Sequence, residues 1–251
     1  MQSNWFVVRT AENNGRLCNQ IIRNLATSLI AEAHDLYIEY SNHEKIHHQL
    51  GIVLFVGKDV HQYTVILTDD SYFNVLENTA MRQNVNPNQH YFQTKKISNL
   101  LYNHIRTNLK SNIMHKNPYK CRYNSNRDIF VHIRLGDVQQ FNPGVNYYLH
   151  ILQQIIDSGT VINTIYLATD SPHHEIIQQI FDIYPKLVKL YIHEEIDTIQ
   201  FGSTCSNLIL SHGSFSVVIG YLAFYSTIYY PAYTNNMWFG DIFSIPGWNK
   251  V

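Results

Sequence analysis

The side chains best able to do chemistry stand in four short clusters. The densest is His132-Ile133-Arg134-Leu135-Gly136-Asp137, at the end of an apolar run over 129–135. Side chains alternate along a strand, so His132, Arg134 and Gly136 share one face. An imidazole and a guanidinium on a buried strand are costly unless they are paired or meet a ligand. Arg134 has the planar fork that grips a diphosphate through two N–H groups. Asp137 could hold Arg134, orient His132 or take a proton. The plainer alternative is an Arg134–Asp137 pair that only orders the strand end; three polar groups on one strand end weigh toward a site.

The second cluster is Asn14-Gly15-Arg16-Leu17-Cys18-Asn19-Gln20. Gly15 permits a tight turn, and a helix behind it offers free N–H groups to an anion. Arg16, Asn19 and Gln20 add donors. Taken alone, the cluster reads as a polar helix entry with Asn as its cap. The third, Thr169-Asp170-Ser171-Pro172, follows the apolar run 164–169; Asp or Ser would cap the next helix, with Pro in its first turn. The fourth, Ser211-His212-Gly213-Ser214-Phe215-Ser216, precedes an apolar helix. Ser214 or Ser216 would cap that helix, and its N-terminus suits a phosphate.

These clusters need elements to position them. Residues 5–9 read as a strand, 17–33 as a helix with apolar residues at helical spacing, and 36–40 as the next strand. Further strands are expected at 65–67, 129–135, 164–169 and 187–192, and helices at 97–110, 147–157 and 173–183. The stretch 72–90 shows no clear period. The polar segment 112–127, with Pro118 and several Asn, marks a domain boundary, dividing the chain into 1–120 and 121–251. Regular alternation of strand and helix predicts an α/β, doubly wound parallel sheet, whose ligands bind beyond the carboxyl ends of strands.

Composition narrows the function classes. The chain has 251 residues, with 18 Lys+Arg against 19 Asp+Glu and a formal net charge of −1. That balance offers no basic surface for nucleic acid. A hydrophobic share of 45% excludes intrinsic disorder. Three Cys are read as reduced thiols rather than a disulfide framework. Asn, Ile and the 18 Tyr are abundant, and all three have A/T-rich codons. There is no signal-peptide pattern, and the most apolar window, 214–231, contains Ser and Thr and ends at Pro231, so a buried helix followed by a buried strand is expected. A soluble, cytoplasmic chain is the expectation. No D-x-D, G-x-G-x-x-G, P-loop, C-x-x-C or G-x-S-x-G pattern is present. The adjacent pairs His47-His48 and His173-His174 read as surface residues, and no metal site is expected.

Together these segments resemble the alpha-1,2-fucosyltransferases, glycosyltransferase family 11, within the GT-B fucosyltransferase group. Gly15 to Gln20 matches a G-R-L-G-N-Q segment, His132 to Asp137 an H-x-R-x-G-D motif, Ala168-Thr169-Asp170 a strand ending in Ser/Thr-Asp, and Gly213 to Val218 a late S-T-F-S-W-W-like stretch. Cys18 stands where the family has glycine, Leu135 where a second arginine is common, and Val217 and Val218 where tryptophans stand. The resemblance implies a GT-B-like pair of Rossmann-like domains facing a central cleft. It also implies a nucleotide-sugar donor, GDP-fucose first, a glycan acceptor, inversion and no required metal or other cofactor. By the same resemblance Arg134, Asp137 and Asn19 are the catalytic candidates. Gly15, Arg16, Gln20, His132, Gly136, Asp170, Ser171, Ser214, Phe215 and Ser216 are the donor-binding ones. The rival readings are another donor, such as GDP-rhamnose or UDP-xylose, and a glycan-binding module on the same scaffold.

Overall fold

Two short β-α-β units open the chain. Val8–Arg9 (β1) and Ile38–Glu39 (β2) pair in parallel across Leu17–His34 (α1). Thr64–Ile66 (β3) and Asn84–Asn86 (β4) form a second parallel pair, connected through Tyr72–Glu77 (α2). The computed structural model describes residues 8–9, 15–137, 139–232 and 242–251. Of the strand expected over 5–9, only β1 lies among them, and Asn14 lies outside the described residues. Lys95–His104 (α3) passes through a π-helical turn, Ile105–Leu109, into Lys110–Lys116 (α4). The helix expected over 97–110 therefore continues into the segment assigned to a polar boundary. There Ile113 is buried and Asn112 donates to the Gly51 carbonyl at 2.6 Å, so polar composition did not mean a loop.

The second half is a wound sheet. In order come Ile129–Ile133 (β5), Val145–Asp157 (α5), Ile165–Thr169 (β6), Glu175–Ile183 (α6), Val188–Leu190 (β7), Glu195–Gly202 (α7), Asn207–Ile209 (β8), Ser214–Leu222 (α8), Thr227–Tyr230 (β9) and Asn249–Lys250 (β10). The six strands form one parallel sheet in the order β10-β9-β8-β5-β6-β7. Numbered within this half, that is the Rossmann-like order 6-5-4-1-2-3, read from its far edge. The winding reverses between β5 and β8, and a crevice opens there beyond the carboxyl ends.

Alternation along β5 sets what faces that crevice. Ile129, Val131 and Ile133 pack with Ile151, Leu152 and Ile177 of α5 and α6. Phe130 points the other way, onto Phe201 and Gly202 of α7; a Cβ on Gly202 would stand 2.8 Å from the Phe130 ring. His132 shares the Phe130 face and meets α8. The two faces of one strand thus serve two layers, the second aromatic at Phe130 and polar at His132, in the alternation that period two sets.

The two halves share packed surface. α1 lies on α8, and one buried apolar cluster runs from Leu17, Ile21 and Leu25 to Val217 and Ile219. Being enclosed by α8, α2 and α3, α1 buries polar residues too: Asn24 donates to the Ser41 carbonyl at 2.8 Å, and the Ala26 carbonyl accepts from the Tyr72 hydroxyl at 2.9 Å. Arg106 donates to the carbonyls of Ala223 and Phe224, tying the α3–α4 rod to the end of α8. The window 214–231 folds as α8 and β9, both mostly buried, and no helix among the described residues is long and apolar enough to cross a membrane.

Candidate functional site

A cleft of about 410 Å³ opens at the carboxyl ends of β5 and β6, between these strands and the start of α1. Gly15, Arg16, Asn19, His132, Arg134, Asp137, Asp170, Ser214 and Phe215 line it, so four segments distant in sequence converge. Gln20, Gly136, Ser171 and Ser216 do not line it.

Arg134 leaves the end of β5 and lies against the loop before α8. A Cβ on Gly213 would stand 2.7 Å from Arg134 Nη1, and Gly213 holds a φ of +93°, which favours glycine. Gly213 is the N-cap of α8 and offers no side chain; the first helical bond runs from Val217 N to the Gly213 carbonyl at 3.3 Å. The N–H groups of Ser214, Phe215 and Ser216 therefore have no intrahelical partner, and the positive end of the helix dipole is open. The expected capping by Ser214 or Ser216 does not occur. Ser216 is buried and its hydroxyl joins His132 Nδ1 at 2.6 Å instead. Arg134 Nε is also buried with no partner.

Asp137 bridges two arginines. Arg134 Nη2 donates to Oδ1 and Arg16 Nη2 to Oδ2, each at 3.1 Å. The Arg134 hydrogen bond, with the charges of Arg134 and Arg16, holds the Asp137 carboxyl below the usual range. This carboxylate links the start of α1 to the end of β5. It does not orient His132, which is fastened to Ser216 and packs beside the Phe215 ring, centroids 5.0 Å apart.

Asp170 works on the loop rather than on a helix. Its Oδ1 accepts from Leu135 N at 2.9 Å and Gly136 N at 3.1 Å, and Ser171 Oγ lies 3.3 Å away. Burial pushes this carboxyl up, but the hydrogen bonds from the Gly136 and Leu135 N–H groups and from Ser171 outweigh it and leave it below its ordinary value. A Cβ on Gly136 would stand 2.7 Å from Asp170 Oδ2, so glycine lets the carboxylate reach the backbone. The expected Asp or Ser cap on α6 is replaced by His174, whose Nδ1 accepts from Ile176 N at 3.2 Å. Pro172 lies outside that helix.

At the other wall the expected Asn cap is likewise absent. Arg16 is the N-cap of α1 and makes no side-chain cap bond. Gly15, at φ +84°, makes room for Asn19, whose Nδ2 would be 2.5 Å from a Cβ there. Gln93 donates to Asn19 Oδ1 at 2.9 Å and fixes that amide. Gln20 is buried and donates to the Gly15 carbonyl at 2.8 Å, holding the turn.

Two imidazoles sit under the cradle. Burial is the main cause pushing His132 down to about 3 and His212 down to about 4, with the Arg134 charge acting in the same direction on both. Both are neutral near pH 7. A chain of bonds joins Asn142, Tyr148, Ser211 and His212, and Asn142 also donates to the Arg134 carbonyl at 2.9 Å.

Sequence reasoning missed a third wall, Tyr191, Ile192, His193, Glu195 and Thr198, just past β7 and in α7. Asp197 organises it: the hydroxyls of Tyr119 and Tyr191 each donate to it at 2.6 Å, and His193 Nδ1 lies 3.5 Å from Oδ2. Tyr191 stacks on Phe201, centroids 4.1 Å apart. The signal available was position alone, since residues past a third parallel strand also reach the crevice. Cys18 lines the cleft as a buried thiol, raised well above its ordinary value by burial. Among the described residues no group of His, Cys, Asp and Glu side chains is arranged to hold a metal ion. Against protein-family models and against curated protein sequences, the chain finds no match.

Proposed function

We propose that this chain is an inverting glycosyltransferase that needs no metal and transfers a sugar, fucose from GDP-fucose first, to a glycan hydroxyl. In this reading residues 1–120 and 121–251 are the acceptor and donor sides of a GT-B-like pair, with the cleft between them. One observation carries it. Arg134, with a buried Nε that has no partner, lies beside the uncapped first turn of α8 at the reversal of the sheet. A guanidinium and free N–H groups aimed at one spot bind an anion with two or more oxygens.

The chemistry follows from where charge develops. When the bond from the anomeric carbon to the diphosphate breaks, negative charge grows on the leaving phosphate. Arg134 and the α8 N-terminus are preorganised to meet it, in the role a metal takes elsewhere. Arg16 can join them from the opposite wall. Asp137 is expected from sequence to be the base, but a carboxylate held by two guanidiniums is a weak proton acceptor. It is a positioning residue that sets Arg134 and Arg16.

A melting panel with GDP, UDP, ADP and inorganic diphosphate tests the reading. One nucleoside diphosphate is expected to stabilise the protein, by about 2.7 kcal/mol at a hundred times its Kd. No stabilisation by any of them would refute the assignment, including the choice of GDP.

A further inference from the structure

Resting on the glycosyltransferase reading above, we propose that Glu195 is the general base that receives the proton of the acceptor hydroxyl. Among the described residues three carboxylates line the cleft: Asp137, Asp170 and Glu195. Asp137 is bonded to Arg16 and Arg134. Asp170 accepts from two backbone N–H groups. Glu195, the first residue of α7, is exposed and makes no hydrogen bond or ion pair among the described residues. Among these three it alone has both carboxylate oxygens without a partner, whereas Asp170 commits Oδ1.

Its position fits the role. The buried thiol of Cys18 on α1 feels both the Glu195 carboxylate and the Arg134 guanidinium. Cys18, Arg134 and Glu195 all line the one cleft. Arg134 and Glu195 both line it from the second half of the chain, so a sugar held by its diphosphate at Arg134 would share the cleft with the Glu195 carboxylate. In the transfer, the hydroxyl oxygen bonds to the anomeric carbon as the bond from that carbon to the phosphate oxygen breaks. The electron pair of the broken bond stays on the phosphate, and the hydroxyl proton passes to Glu195 and then to water.

The two histidines of the cleft are poorer choices. His132 has Nδ1 fastened to Ser216 and is held neutral by burial. His193 pairs with Asp197, whose oxygens already accept two tyrosine hydroxyls, and its ring packs on Tyr191 at 4.2 Å.

The test avoids the unidentified acceptor by using water and azide. Wild type, Glu195→Ala, Glu195→Gln and His193→Gln are assayed for nucleotide release from GDP-fucose, GDP-rhamnose and UDP-xylose, with and without sodium azide. Azide is already an anion and needs no base. We expect both Glu195 variants to keep the wild-type melting shift with the matching nucleoside diphosphate. They should lose about a hundredfold in release to water. Azide should restore release in Glu195→Ala, with a glycosyl azide as product. Wild-type release in either Glu195 variant, failure of azide to restore it, or the same azide-rescued loss in His193→Gln overturns the assignment while leaving the glycosyltransferase reading intact. A wild-type protein that binds none of the nucleotides and releases none from any donor overturns both.

Discussion

Arg134 occupies the space that a side chain on residue 213 would need. A Cβ there would stand 2.7 Å from Arg134 Nη1, and the backbone of Gly213 is at φ +93°. Gly213→Ala is therefore both strained and obstructive. It should leave a folded protein, because the atom it meets is the far end of a flexible side chain, but lower nucleoside diphosphate affinity at least about tenfold, or about 1.4 kcal/mol. Isothermal titration with the stabilising nucleotide checks this. Unchanged affinity would mean that Arg134 does not face the ligand from this position.

Asp137 and Asp170 should separate on stability. The Asp137 bridges are exposed, with 51% of its side chain accessible, so Asp137→Asn should leave the unfolding free energy nearly unchanged. Asp170→Ala strands the N–H of buried Leu135 and should cost about 1 kcal/mol or more. Urea unfolding of the two variants should show that order, and the reverse order would discredit the loop-holding role given to Asp170.

His132 gives a pH dependence with a definite sign. Its folded value lies near 3, below that of an unfolded histidine near 6.5, so the unfolded chain binds the extra proton between those limits. Stability is complete above about pH 6.5 and falls as pH drops, by about 1.4 kcal/mol per pH unit for each such histidine. Unfolding free energies of wild type and His132→Asn at pH 7 and pH 5 should differ in slope by about that amount. Equal slopes would contradict a buried neutral imidazole.

Charge stabilisation by Arg134 and the α8 N-terminus makes a metal unnecessary in the proposed mechanism. Donor turnover should survive prolonged EDTA treatment and desalting. A loss that returns on adding Mn²⁺ or Mg²⁺ would contradict that division of labour.

The wound half is legible where strands run five residues and are mostly apolar. β5 and β6 sit inside a parallel sheet, so both faces are buried and the runs stand out. The stretch 72–90 was not legible because α2 spans six residues and β4 three, too short for a period to register. Of the site, the His132-to-Asp137 turn was readable because charged side chains on an apolar strand demand an explanation. The caps were misread for one physical reason. Asp170 and Ser216 can cap locally, but their polar atoms bond across the fold to Leu135, Gly136 and His132, and one sequence carries no sign of such distant partners. The Asp197 cluster was invisible on the same ground, since Tyr119 joins it from 78 residues away.

The central claim is that Arg134 binds the diphosphate of a nucleotide sugar and stabilises it as it leaves. Its most direct test is nucleotide release from the donor by wild type and Arg134→Ala, in water and in azide, with circular dichroism confirming the fold. The expected result is a folded variant whose release falls by about a hundredfold or more and which azide does not rescue, because the missing help is to the leaving group. A folded Arg134→Ala variant that releases nucleotide at the wild-type rate would contradict it.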